Sequence, residues 1–251
     1  MRPLARWTIG PVSKSGMDVL RESVFRFEEV YPEFETIVCY NNIDEVKIGS
    51  CKAGLYKQST NEVDYPLTSF DDPLLDVEEP LRRAGMAGSG WKLSPPRLRL
   101  EAHELWMDND IVISSRLPEI DDWLNQSDAG IISEGRHRIF GVYEDLVPSH
   151  LRICAGFFGV PPNFDLHQSV VDLCNLRLKG KSLGHYDEQG LVAAIVTNMD
   201  NFIVVSQEHL TIVEDREHLP DEFMGIHFVG VNRSNEHSGW SEFKNRVLKV
   251  I

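Results

Sequence analysis

The first ordered pattern in the chain is the apolar run "RWTIG", closed by Gly10-Pro11, which predicts a short strand. Past the polar "PVSKSG" the apolar positions change rhythm. Met17, Leu20, Val24, Phe27 and Tyr31 fall at spacings of 3, 4, 3 and 4, the signature of one face of an α-helix. Pro32 ends it, because a proline ring cannot continue the hydrogen-bond ladder. "FETIVCYNN" follows as a buried strand with Asn41-Asn42 at its carboxyl end. Strand, helix, strand in succession opens a largely parallel α/β sheet, and such sheets gather ligands at the carboxyl ends of their strands. The loop "GPVSKSG" and Asn41-Asn42 then share an edge. That loop has neither a Walker lysine pattern nor G-x-G-x-x-G, so it is not a standard nucleotide cradle.

Periodicity lapses over residues 43–90. Acidic clusters (Asp71-Asp72, Asp76, Glu78-Glu79) and "GMAGSG" predict an irregular surface excursion rather than a second domain. "WKLSPPRLRLEAHELWMDND" reads as a helical turn feeding a central strand, "LPEIDDWLNQ" as a short helix, and "AGIIS" and "RICAGFFGV" as strands. Phe164, His167, Val171, Cys174 and Leu178 mark an amphipathic helix, and "DEQGLVAAIV" another. "FMGIHFVG" is a late strand, and Trp240, Phe243 and Val247 mark a C-terminal helix. With no repeat and no low-complexity tail, residues 1–251 read as one α/β domain.

Composition narrows the classes. A chain of 251 residues, 42% hydrophobic, can fill one large core. A net charge of −14 and a pI near 5.0 argue against nucleic acid, where a basic face supplies most of the affinity, and against a polybasic membrane anchor. "MRPLARWTIG" has no apolar signal region, and no run approaches the length of a transmembrane segment, so a soluble, cytoplasmic protein is expected. Cys39, Cys51, Cys154 and Cys174 lack C-x-x-C spacing and read as reduced thiols. Asn125 and Asn232 begin glycosylation patterns that carry no weight without secretion.

The candidate chemistry lies in "HELWMDNDIVI". In extended chain, residues two apart share a face, so Asp108 and Asp110 are expected to point together and Asn109 away. Two carboxylates held that close call for a cation, and paired carboxylate oxygens suit Mg²⁺ or Mn²⁺. A solvated turn between two strands has the same spacing, so context decides.

The context is an ordered series: the strand–helix–strand opening, "LWMDNDIVI", "CAGFFGV", "YDEQG", and "IHFVG" with Trp240 ten residues beyond Gly230. In this order the chain resembles glycosyltransferases of the GT-A (nucleotide-diphospho-sugar transferase) fold, in particular the family of glycogenin and the bacterial lipopolysaccharide galactosyltransferases, glycosyltransferase family 8. That family carries D-x-D after an apolar strand, an N-S-G segment, a D-Q helix start and a late H-x-x-G-x-x-K-P-W. The resemblance covers residues 6–245. This chain departs from it with Cys154-Ala155-Gly156 at the N-S-G position. Its late motif, "HFVGVNRSNEHSGW", keeps His227, Gly230 and a delayed Trp240 but lacks the lysine and proline. Arg233 and Lys244 are candidates for that lysine's contact with the donor diphosphate.

The resemblance implies a mixed, mostly parallel sheet flanked by helices. It implies an enzyme that transfers a sugar from a nucleotide-diphosphate sugar, a UDP-sugar, to a glycan, lipid or small-molecule acceptor. A divalent ion neutralises the departing diphosphate in such chemistry. The resemblance makes Asp108, Asp110 and His227 ligands of Mn²⁺ or Mg²⁺. It places Lys92, Arg97, Asp108, Asn109, Gly156, Gly230 and Arg233 around the donor. Thr8, Ile9, Gly10 and Asn41, at strand ends, are expected to form the base and ribose pocket. Asp187, Glu188 and Gln189 are the candidate catalytic residues at a helix start, where capping and the dipole already favour acids. A carboxylate there suits a general base in an inverting displacement and an amide a retaining route, and both stay open. The alternative is a non-catalytic nucleotide- or carbohydrate-binding protein on the same fold. Residues 231–239, polar and rich in turn formers, are expected to close over bound diphosphate.

Overall fold

The computed structural model describes residues 1–10, 12–40, 53–57, 92–93, 96–178, 186–232 and 236–247. Strand β1 (Leu4–Ile9) leads into helix α1 (Lys14–Val30), and β2 (Glu35–Tyr40) returns parallel to β1. The helix forms where the apolar spacing places it. Ser13 caps its start by accepting from the Gly16 N–H at 3.0 Å, and Met17, Leu20, Val24 and Phe27 are buried along it. The Tyr31 N–H, bonded to the Phe27 carbonyl, closes the last turn ahead of Pro32. Trp7, Phe27, Tyr31 and Phe34 then meet with ring centroids 5.0–5.8 Å apart, contacts each worth about 0.5–1.5 kcal/mol beyond burial.

The remaining described elements are β3 (Gly54–Lys57), β4 (Glu104–Met107), β5 (Ile111–Ile113), α2 (Pro118–Leu124), β6 (Ala129–Glu134), a 3₁₀ turn (Gly141–Leu146), β7 (Ile153–Val160), α3 (Leu166–Arg177), α4 (Asp187–Thr197), β8 (Asn201–Val205), β9 (Leu210–Glu214), β10 (Gly225–Val229) and α5 (Ser238–Arg246). Seven strands form one sheet in the order β3-β2-β1-β4-β7-β6-β8, and three form a second, β5-β10-β9. In the larger sheet β7 runs antiparallel to both neighbours, and the other ladders are parallel. This is the mixed, mostly parallel α/β architecture expected.

Alternation along β4 divides the core. Leu105 and Met107 join the cluster beneath α1 and α2, whereas Trp106 faces α3 and α4 and stacks on Phe158 at 4.9 Å. A third cluster, with Val112, Phe228, Trp240 and Phe243, seats α5 on the small sheet. The chain crosses from one sheet to the other between Met107 and Ile111. Residues 108–110 are therefore a turn, with the Ile111 N–H bonded to the Asp108 carbonyl at 3.2 Å. The small sheet pairs Ile111 with His227. On the other side β7 slips register against β6 at Ile132/Ser133, and the Asp108 N–H reaches the Gly156 carbonyl at 2.7 Å. Such an irregularity re-aims the strand residues beside it.

Several elements differ from expectation. Residues 96–103 form bends and a turn at 100–101 rather than a helix, and the Arg97 guanidinium organises them. It donates to the carbonyls of Arg99, Leu100, Ala102, Pro161 and Phe164 and to the Glu104 carboxylate. Within the segment expected to be irregular, β3 pairs with β2; the Asp71–Glu79 acidic clusters and "GMAGSG" lie outside the described residues. Helix α3 starts at Leu166 with Asp165 as its cap, so its buried seam is Leu166, Val170 and Cys174, and His167 is exposed. Helix α4 is not amphipathic: it is buried on every side except at Gln189, wedged among β7, α3 and the 3₁₀ turn. Strands β8 and β9 are five residues each, too short for periodicity to separate from neighbouring apolar runs. Among the described residues no helix is long and apolar enough to cross a membrane. Cys39, Cys154 and Cys174 are free, and Cys51 lies outside the described residues.

Candidate metal centre and its cavity

The crossing between sheets brings together three side chains that could hold a metal ion. Asp108 ends the large-sheet strand, Asp110 precedes β5 and His227 stands on β10 beside it. One potential ligand atom from each lies within 4.8 Å of the others. The His227 Nε2 is 3.2 Å from the Asp110 Oδ1, with both side chains less than a tenth exposed. Nevertheless Asp110 Oδ1 is buried with no hydrogen bond of acceptable geometry, while Oδ2 accepts from the Asn232 amide at 3.0 Å. A buried anionic oxygen calls for a positive partner, which a protonated His227 or a bound cation supplies. Two carboxylates and an imidazole form a donor set that a divalent cation satisfies, so these residues fit the ion. Burial opposes the imidazolium, yet the Cys154 sulfur and the Asp110 carboxylate outweigh it and raise the His227 pKa well above its ordinary value.

Asn109 does not point away. The turn buries it, and its amide donates to the Gly16 carbonyl at 3.2 Å and to the Asn232 Oδ1 at 2.6 Å.

Gly156 is required by space. A Cβ there would lie 2.7 Å from His227 Cε1 and 2.9 Å from Asp108 Oδ2, closer than real Cβ contacts allow. Gly230 is required by conformation, with φ of +98°, a region that disfavours side chains. Cys154, near the N-S-G position, sets its Sγ 3.7 Å from His227 Nδ1.

Lys92 joins the metal candidates to the helix start. Its Nζ is 2.8 Å from Asp108 Oδ1, 3.2 Å from Glu188 Oε1 and donates to the Ala155 carbonyl at 3.1 Å. Burial works against the ammonium, but the carboxylates of Asp108 and Glu188 prevail and raise the Lys92 pKa. Burial pushes the Glu188 carboxyl up, with Lys92 opposing.

These groups surround a cavity of about 390 Å³. Thr8, Ile9 and Gly10 line it from the carboxyl end of β1, and Lys92, Asp108, Asn109, Asp110, Gly156, His227 and Gly230 from its centre. Glu188, beside Lys92, and Gln189 line it too, and the Gln189 amide donates to the Ile139 carbonyl at 2.9 Å. Asp187 is not among the lining residues: its carboxylate accepts from the Val142 N–H at 2.9 Å and braces the 3₁₀ turn. Arg97 is likewise elsewhere, in the clamp described above. Lys244 lies on α5 over the Trp240 ring. Asn41 and Arg233 lie outside the described residues. The expected lid has fixed ends, since Val231 and His237 are fully buried and Asn232 is hydrogen-bonded.

Cys154, Asn232, Arg136 and Tyr186 also line the cavity, and sequence reasoning missed them as site residues. Asn232 showed only as a glycosylation pattern and as part of the expected lid, and Cys154 as a reduced thiol at the N-S-G position.

No family model matches the chain, and no curated protein matches it. Solved structures do. The galactosyltransferase LgtC, in complex with donor and acceptor sugar analogs, aligns with a TM-score of 0.62 at 10% identity, covering 96% of this chain and 94% of that one. The bifunctional glycosyltransferase WbbM, in its apo structure, aligns at 0.63 with 11% identity, over 97% of this chain and 49% of that one. The chain has the GT-A fold. Mouse xyloside xylosyltransferase 1, also apo, gives 0.55 at 10% identity over 92% and 99% of the two chains. The GT-A likeness thus extends across nearly the whole chain, including both sheets and the turn between them.

Proposed function

We propose that this chain is a single-domain, metal-dependent glycosyltransferase, acting in the cytoplasm, that moves a sugar from a UDP-sugar to a glycan, lipid or small-molecule acceptor. The observation that carries the reading is the triad Asp108, Asp110 and His227, whose potential ligand atoms lie within 4.8 Å of one another on the wall of the cavity. LgtC, of the same fold, is seen with donor and acceptor sugar analogs, which supports a donor and an acceptor meeting in this cavity.

Asp108, Asp110 and His227 hold Mn²⁺ or Mg²⁺ in this reading. The ion, when bound, neutralises charge on the departing diphosphate. Thr8, Ile9 and Gly10 receive the nucleoside at the end of β1, where open α/β sheets bind ligands. Lys92 offers a fixed ammonium between Asp108 and Glu188, so donor oxygens arriving there meet a charge already oriented and desolvated. Glu188, beside Lys92, and Gln189 line the same cavity. A Glu188 carboxylate raised by burial is a stronger base for an acceptor hydroxyl, and its use goes with inversion; use of the Gln189 amide goes with retention. The anomeric configuration of the product separates the two.

The experiment is incubation of the purified chain with a panel of UDP-sugars and Mn²⁺, with release of UDP measured against Asp110→Ala. UDP release by the wild type, reduced at least a hundredfold in the variant (about 2.7 kcal/mol), is expected. Equal release by both would remove the metal triad from the reaction.

A further inference from the structure

Asn232 has no ligand role in the reading above, yet its side chain bonds both Asp110 and Asn109 of the turn between the sheets. Its Nδ2 donates to Asp110 Oδ2 at 3.0 Å and to Asn109 Oδ1 at 3.1 Å. Its own Oδ1 accepts from the Asn109 amide at 2.6 Å. This fixes which way round the amide lies. The atom facing a carboxylate oxygen must be the NH₂ group, and its two hydrogens are used by the two acceptors. The backbone is held as firmly. The Asn232 carbonyl accepts from the Ser13 N–H at 3.2 Å, and the neighbouring Val231 carbonyl accepts from the Ser13 hydroxyl at 3.1 Å. Val231 itself is buried in the cluster under α5.

The consequence falls on Asp110. With Oδ2 engaged by Asn232, the other oxygen, Oδ1, is turned toward His227 Nε2 at 3.2 Å. We infer that Asn232 is the positioning residue of the metal centre: its amide holds Asp110 by Oδ2 and so presents Oδ1, beside His227, to a divalent cation. It also ties the start of α1, through Ser13 and Asn109, to the turn between the sheets. A neutral amide does this without adding a charge, so the carboxylate keeps its full negative charge for the ion. Partners that orient metal ligands in this way are worth about ten- to a hundredfold in metal affinity. The inference rests on the proposed metal site.

The test is titration of the full chain with Mn²⁺, followed by the electron paramagnetic resonance signal of free Mn²⁺, with the melting temperature of each protein in metal-free buffer. Asn232→Ala is expected to weaken Mn²⁺ binding about ten- to a hundredfold while melting close to the wild type. Unchanged Mn²⁺ affinity, whether or not the melting temperature falls, would reduce Asn232 to a structural brace and overturn the inference alone. A wild type that leaves all the Mn²⁺ free would overturn both the inference and the metal site beneath it. If Asn232→Ala does not fold, Asn109→Ala removes the anchor of the same amide. Weaker Mn²⁺ binding in that variant supports the inference, and unchanged binding overturns it.

Discussion

At the scale of single residues, the centre is built from buried charges that pair with one another. Asp110 is buried with Oδ2 held by Asn232 and Oδ1 beside His227, and Lys92 sits desolvated between two carboxylates. Gly156 shows how little room is left. Its missing side chain is what lets Asp108 and His227 close on the same point from β4 and β10. Gly156→Ala is therefore expected to fold, at an overpacking cost of about 1–3 kcal/mol. The added methyl displaces both ligands, so Mn²⁺ affinity should fall tenfold or more, about 1.4 kcal/mol. Isothermal titration with Mn²⁺ beside thermal melting checks this. Wild-type affinity in the variant would show that the two side chains need not approach through that gap.

Between elements, the decisive feature is a chain that changes sheets inside its D-x-D motif. Strand β4 belongs to the large sheet and β5 to the small one, so the aspartates converge through a turn rather than by alternation along one strand. The opposite rim of the cavity is tied in a comparable way. Arg136, from the loop after β6, donates to Glu217 at 2.6 Å and to the Ile212 carbonyl of β9. Glu217 also accepts from the Glu214 N–H at 2.7 Å. The Arg136 hydrogen bond, with the Glu214 N–H, lowers the Glu217 pKa. A lowered carboxylate pKa stabilises the fold above the ordinary glutamate range, and that contribution is lost as pH falls through the folded value. Glu217→Gln should thus be less stable than the wild type near pH 7. With the side chain 41% exposed, screening keeps the difference below about 1 kcal/mol. The gap should close as the pH drops below the ordinary carboxylate range. Denaturant melts at neutral and acid pH measure it, and a gap that persists in acid would mean the ion pair is not its source.

Across the whole molecule, what could be read from the sequence was what depends on local periodicity and on order along the chain. The 3-4-3-4 spacing from Met17 to Tyr31 placed α1, and the succession from "LWMDNDIVI" to "IHFVG" placed the fold. What could not be read depends on contacts made at a distance. Asn109 was expected to face away because nothing local shows that the chain turns there to change sheets. Asp187 and Glu188 are adjacent and chemically alike. Only the 3₁₀ turn, which takes Asp187 as its brace, sends one out of the cavity and leaves the other in it. Asn232 carried no chemical signal at all, since an amide gains meaning only from the carboxylate it meets.

In the proposed function, nucleotide and metal bind together at the junction of the two sheets. Calorimetric titration of the chain with UDP, with and without Mn²⁺, and again with Asp110→Ala, tests it most directly. Binding that requires Mn²⁺ in the wild type and disappears in the variant is the predicted result. UDP binding of equal strength without metal, or in Asp110→Ala, would contradict it.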